Sequence, residues 1–124
     1  MEQNGYQNYK EQSILTMTQG ELLLLLYDEL VKRLHHCGLA LEQKNDLLLD
    51  ASLDRSVAIV RYLDNTLDQQ YPISKDLHRL YDFFYYELSR VKAGRNQDAL
   101  NQVRRMVTEL RDTFREADKK CSEP

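Results

Sequence analysis

At 124 residues the chain has room for one domain with a real core. Charged residues make up 30% and the formal net charge is −3, so there is no basic footprint for nucleic acid. The longest apolar run is far short of a membrane span and nothing resembles a signal peptide, which argues against membrane insertion and for a cytoplasmic protein.

In chain order, residues 1–17 read as a polar N-terminal arm or cap that carries Tyr6, Tyr9, Ile14, Leu15 and Met17. A helix start follows. Thr18-Gln19-Gly20-Glu21 has the pattern of a capping box, in which Thr18 accepts from the backbone of Glu21 and Glu21 reaches back. Five leucines, Leu22 to Leu26, come next. Helical neighbours are roughly 100° apart, so this run covers the whole circumference. An ordinary amphipathic helix has one apolar stripe. The first helix, from about Gln19 to Gln43, therefore has apolar surface to spare beyond Leu23, Leu26, Tyr27, Leu30, Leu34, Cys37 and Leu41.

Lys44-Asn45-Asp46 breaks the pattern and reads as a loop. A second helix is expected from about Leu48 to Gln70, with Leu53, Ser56, Val60, Leu63 and Leu67 inward. Pro72 reads as its stop and Ser74 as the next N-cap. The third helix spans about Lys75 to Ala93, with Leu77, Leu80, Tyr81, Phe84, Leu88 and Val91 inward. Gly94 is placed to end it and Asn96 to cap the fourth. That helix runs from about Gln97 to Lys119, with Leu100, Val103, Val107, Leu110, Phe114 and Ala117 inward. Residues 121–124 read as a frayed tail. Four glycines and two prolines leave little turn material, which suits long helices. The fold class is all-α. Short loops make residues 18–120 an antiparallel up-down four-helix bundle.

Catalytic and metal patterns are weak. His35-His36-Cys37 resembles a ligand cluster, but adjacent helical residues point to different faces. No acidic residue stands three positions before any of the three histidines, so the di-iron bundle motif is absent. There is no Cys-x-x-Cys, no phosphate loop and no supported Ser-His-Asp set. No cofactor, metal or enzymatic activity is expected. Cys37 falls inside a helix and Cys121 in a charged tail, so two unpaired thiols in a reducing compartment are expected.

What remains is surface outside the core stripes: Leu22, Leu24 and Leu25, then a second stripe of Ile59, Tyr62 and Thr66, then Phe83 and Tyr86, and Met106. Such stripes suit a groove for an amphipathic helix or an extended peptide. The arm, with Tyr6 and Tyr9 three apart, is placed to occupy or border it.

The chain resembles the flagellar secretion chaperones from Tyr6 to about Ala117. The likeness rests on Tyr6-Gln7-Asn8-Tyr9, on Thr18 to Leu22 leading into Leu26-Tyr27-Asp28, and on Leu63 to Leu67 followed by Tyr71-Pro72-Ile73-Ser74-Lys75-Asp76-Leu77. Leu80-Tyr81-Asp82-Phe83 and Thr108 to Phe114 complete it. Many relatives have Trp where Phe114 stands and Asn near Lys92. The resemblance implies a helical bundle with a short N-terminal helix or cap. It implies a non-enzymatic protein that covers the disordered C-terminal region of flagellin, prevents its premature polymerisation and helps deliver it to the export gate. Tyr6 and Tyr9 match the family's N-terminal motif and are assigned to cap and groove. The remaining partner-binding candidates, Leu22, Leu25, Ile59, Tyr62, Phe83, Tyr86 and Met106, come from surplus apolarity. Other flagellar export or regulatory proteins are further candidate partners. The rival reading is a self-associating helical-bundle adaptor, with the spare stripes forming a homodimer.

Overall fold

The computed structural model describes residues 18–122. Among these there are four α-helices and no strand: α1 (Gln19–Glu42), α2 (Asp46–Asn65), α3 (Ile73–Gly94) and α4 (Gln97–Ser122). The helices close a ring, in which α1 packs on α2 and α4, and α3 packs on the same two. Contacts between α1 and α4 run in opposite numerical order. Asp28 meets Arg111 and Arg115, and His35 meets Arg104. No helix of the described residues is long and apolar enough to cross a membrane.

The core is built from the expected stripes. Tyr27, Leu30, Leu34 and Cys37 of α1 are buried, as are Leu53, Val60 and Leu63 of α2. Leu77, Tyr81, Phe84, Leu88 and Val91 come from α3, and Leu100, Val103 and Val107 from α4. Burying a large apolar side chain contributes about 1.5–3 kcal/mol each, so these stripes set the fold. The α4 stripe stops early, because Leu110 and Phe114 are half-buried and Ala117 is exposed. Gly38 is buried against α4, where a β-carbon would crowd the Arg104 guanidinium.

Several boundaries differ from the sequence reading, each for a local reason. α1 begins as expected, with Thr18 Oγ1 accepting from the Glu21 backbone at 3.1 Å. α2 begins earlier, at Asp46, because Asn45 Oδ1 accepts from the Leu48 backbone and caps it. It also ends earlier, at Asn65. The Thr66 hydroxyl donates to the Tyr62 carbonyl at 2.9 Å and offers that backbone an alternative partner. Pro72 therefore does not stop α2. It stands at the start of α3, while Ser74 is a buried first-turn residue and not the cap. Proline is well suited there, since its missing N–H lies where the helix needs no donor.

At the other end of α3 the left-handed residue is Arg95, at φ 50°, and not Gly94, which stays helical. A side chain in that region is held against a cost of about 1–2 kcal/mol. Its side chain is fixed by Asp46, with Nη2 at 2.7 Å and Nε at 3.0 Å from Oδ1. Asn96 caps α4 as expected, accepting from the Ala99 backbone at 2.9 Å.

Candidate interaction groove

The five-leucine run divides between core and surface. Leu23 and Leu26 pack against the core, Leu22 and Leu24 are half-buried, and Leu25 is exposed. Leu22, Leu23 and Leu26 line a cavity of about 530 Å³ at the end of the molecule where α1 begins. Tyr62 and Leu63 contribute from α2, Thr66 and Leu67 from the connection after it, Leu77 and Tyr81 from α3, and Phe114 from α4. All four helices thus meet at this end without filling it. The cavity has the size of a site that takes a bulky apolar group.

Two of its lining residues, Tyr81 and Phe114, are held from behind by Tyr27. The Tyr27 and Tyr81 hydroxyls lie 2.6 Å apart, and both rings are buried. Burial pushes both phenols above their ordinary value, Tyr27 far above it, so they stay neutral. The Tyr27 ring stacks on Phe114 with centroids 5.3 Å apart.

A second depression of about 280 Å³ continues along the seam of α1 and α2. It shares Leu26 and Tyr62 with the first and adds Ile59, Ala58, Glu29, Arg33 and Arg55. Together they make one groove with an apolar floor, bordered by Asp68 at the open end of the molecule and by Glu29, Arg33 and Arg55 further along.

Three of the nine candidate residues, Leu22, Ile59 and Tyr62, line this groove, and Tyr62 is 49% exposed. Leu25 is exposed one position before Leu26 but lines neither depression. The other three stand on different helices and are not gathered into it. Phe83 is half-buried on α3, Tyr86 is exposed beside it in sequence, and Met106 is half-buried on α4. Arg90 lies over the Tyr86 ring at 6.0 Å from its centroid. Tyr6 and Tyr9 lie outside the described residues. The sequence reading placed Thr66 in the same spare stripe as Ile59 and Tyr62, and it missed Phe114, Arg33 and Arg55 as groove residues. Phe114 was assigned wholly to the core, Glu29-Lys32-Arg33 reads most simply as a solvated helix face, and nothing in the pattern singles out Arg55.

Other chemistry-bearing groups behave as structural elements. Cys37 is buried, and burial pushes its thiol up to about 11, against smaller opposing effects of Ser56 and Arg104. Cys121 is exposed and likewise free. His35 Nδ1 accepts from Arg104 Nη2 at 3.1 Å, and His36 sits on another face with its ring centroid 6.4 Å away. One cluster was not foreseen. His78 lies between Asp64 of α2, at 2.7 Å from Nδ1, and Asp82 of α3, at 3.5 Å from Nε2. The hydrogen bond to Asp64, with the charges of Asp64 and Asp82, raises its pKa above the ordinary 6.5. The two carboxylates face opposite ring nitrogens. That is the arrangement of an imidazolium clasp, and a single metal ion would reach only one of those nitrogens.

Comparison with known proteins fits a binding surface of this kind. A family described as flagellar protein FliS matches residues 2–121. The flagellar secretion chaperone FliS of Bacillus subtilis (strain 168) is 29% identical over 115 residues, covering 93% of this chain and 86% of the relative. A match over that span takes in all four helices and the groove they form. The chain therefore belongs to the FliS family of flagellar proteins.

Proposed function

We propose that this chain is a cytoplasmic export chaperone that covers the disordered C-terminal region of flagellin, prevents its premature polymerisation and assists its delivery to the flagellar export apparatus. The carrying observation is the continuous apolar groove from Leu22 through Leu26 to Tyr62 and Ile59, open at the end where the N-terminal arm joins α1. Family membership and the secretion-chaperone relative support the same reading. Its chemistry is binding. Apolar contacts along the groove offset the entropy lost as a disordered segment folds onto it. In this reading the bundle is antiparallel, and residues 1–17, with Tyr6 and Tyr9, form a cap over the groove until a client displaces it.

The test is calorimetry of the full chain with a peptide from the flagellin C-terminus. Binding at micromolar concentration with a negative heat-capacity change is expected. Replacing Tyr62 with Ala is expected to weaken it about tenfold while leaving the helical spectrum intact. No heat at these concentrations overturns the proposal.

A second reading has its own observation. Tyr86 is 61% exposed on α3, outside the groove. An aromatic so placed suits a self-association surface. Sedimentation without client distinguishes the two, since a groove-only chaperone stays monomeric at all concentrations.

A further inference from the structure

The groove is not uniformly apolar, and its charges are ordered along its length. At the open end the cavity lining includes Asp68, whose Oδ1 accepts from the Gln70 backbone at 3.0 Å. The other end is lined by Glu29, Arg33 and Arg55. Arg33 Nη2 and Glu29 Oε2 are 3.4 Å apart and offset each other. Arg55 is exposed and has no hydrogen bond or ion pair among the described residues. That end of the groove therefore carries one uncompensated positive charge, in a chain whose net charge is −3.

We propose that the groove reads a carboxylate as well as apolar anchors. Its occupant is an amphipathic protein segment with an Asp or Glu placed against Arg55, flanked by Arg33. This rests on the chaperone reading and deepens it, because it fixes the register and direction of the client. A guanidinium presents a planar fork that pairs with a carboxylate through two parallel bonds, and an apolar surround strengthens the pair. Leu22 and Arg33 are about three turns apart on α1, about 16 Å at ~1.5 Å per residue. The carboxylate therefore lies about eleven residues of client helix from the side chain that fills the end cavity. A client laid in the other direction brings the same carboxylate to Asp68, where like charges repel. The charge pair thus selects one orientation.

The experiment uses the full chain and two probes. One is the flagellin C-terminal peptide, with each acidic residue changed in turn to its amide. The other is a designed amphipathic peptide with leucines at helical spacing and one Glu about eleven residues from the first anchor. Arg55→Ala and Arg55→Glu are compared with the native chain, with circular dichroism to check folding. Arg55→Glu is expected to weaken binding about tenfold, and only for peptides that keep the acidic residue in register. Changing that one residue to Arg is expected to restore binding to Arg55→Glu. Equal affinity of native and Arg55→Glu chains overturns the inference, and so does a loss that is the same for every peptide. If the designed peptide binds in register and the flagellin peptide does not, the inference stands and the flagellin assignment falls. If neither probe binds, both fall.

Discussion

The buried polar groups behave as their surroundings dictate. Tyr27 and Tyr81 share a hydrogen bond in the core, 54 positions apart in sequence. Removing one hydroxyl strands the other, which costs about 1–3 kcal/mol, whereas removing both is nearly neutral. Tyr81→Phe is therefore expected to lower stability to urea, and the Tyr27→Phe/Tyr81→Phe double variant to recover most of the loss. Additive losses would show that the bond contributes nothing. The thiols divide as sharply. Cys37 is buried with a raised pKa, and Cys121 is exposed. A thiol-reactive dye is expected to label one cysteine in the native chain and both in denaturant; rapid native labelling of both would mean that α1 opens freely. The burial of Cys37 follows from its place in the α1 stripe. Nothing in the sequence marks Glu87, which is buried and bound to Arg90 at 3.0 Å, since acidic residues are rarely inside.

At the level of the helices, apolar spacing gave all four elements and most of their inward faces. It did less well at their ends, where one or two side chains decide. Leu67 stands four places after Leu63 and continues the stripe, so the pattern alone carries α2 past the point where Thr66 ends it. Asn45 was read as loop because its role is fixed by a single bond to the Leu48 backbone. The His78 clasp was equally invisible, as it joins residues 14 positions apart across the α2–α3 connection. Its pH dependence has a definite sign. The folded pKa lies above the ordinary 6.5, so the clasp's contribution is fully present below about pH 6.5 and is lost as pH rises through the folded value. Urea midpoints of the native chain are expected to fall, relative to His78→Gln, as pH rises from about 6.5 through the raised folded value. Parallel curves for the two would remove the clasp from the stability of the α2–α3 connection. His35 and His36 are common to both proteins and cancel in the comparison.

For the whole molecule, the presence of a groove was legible and its extent was not. Surplus leucine and aromatic positions showed that something must be covered. They did not show that Leu22, Ile59 and Tyr62 share one surface while Phe83, Tyr86 and Met106 stand elsewhere, because that depends on which helices are neighbours. The two ends of the ring are also unequal. Where α1 joins α2 and α3 joins α4, the connections are short, and Arg95 reaches across to Asp46 to tie one to the other. At the opposite end the α2–α3 connection is longer, the cavity is open, and Leu23, Leu67 and Phe114 are only half-buried. The molecule is therefore stapled at its Asp46–Arg95 end and less tightly closed at the end where Leu22 and Phe114 line the cavity. Amide hydrogen exchange is expected to be slowest around Leu49, Val91 and Leu100 and fastest in the first turns of α1 and the last of α4; uniform protection along both helices would mean that the two ends are equally closed.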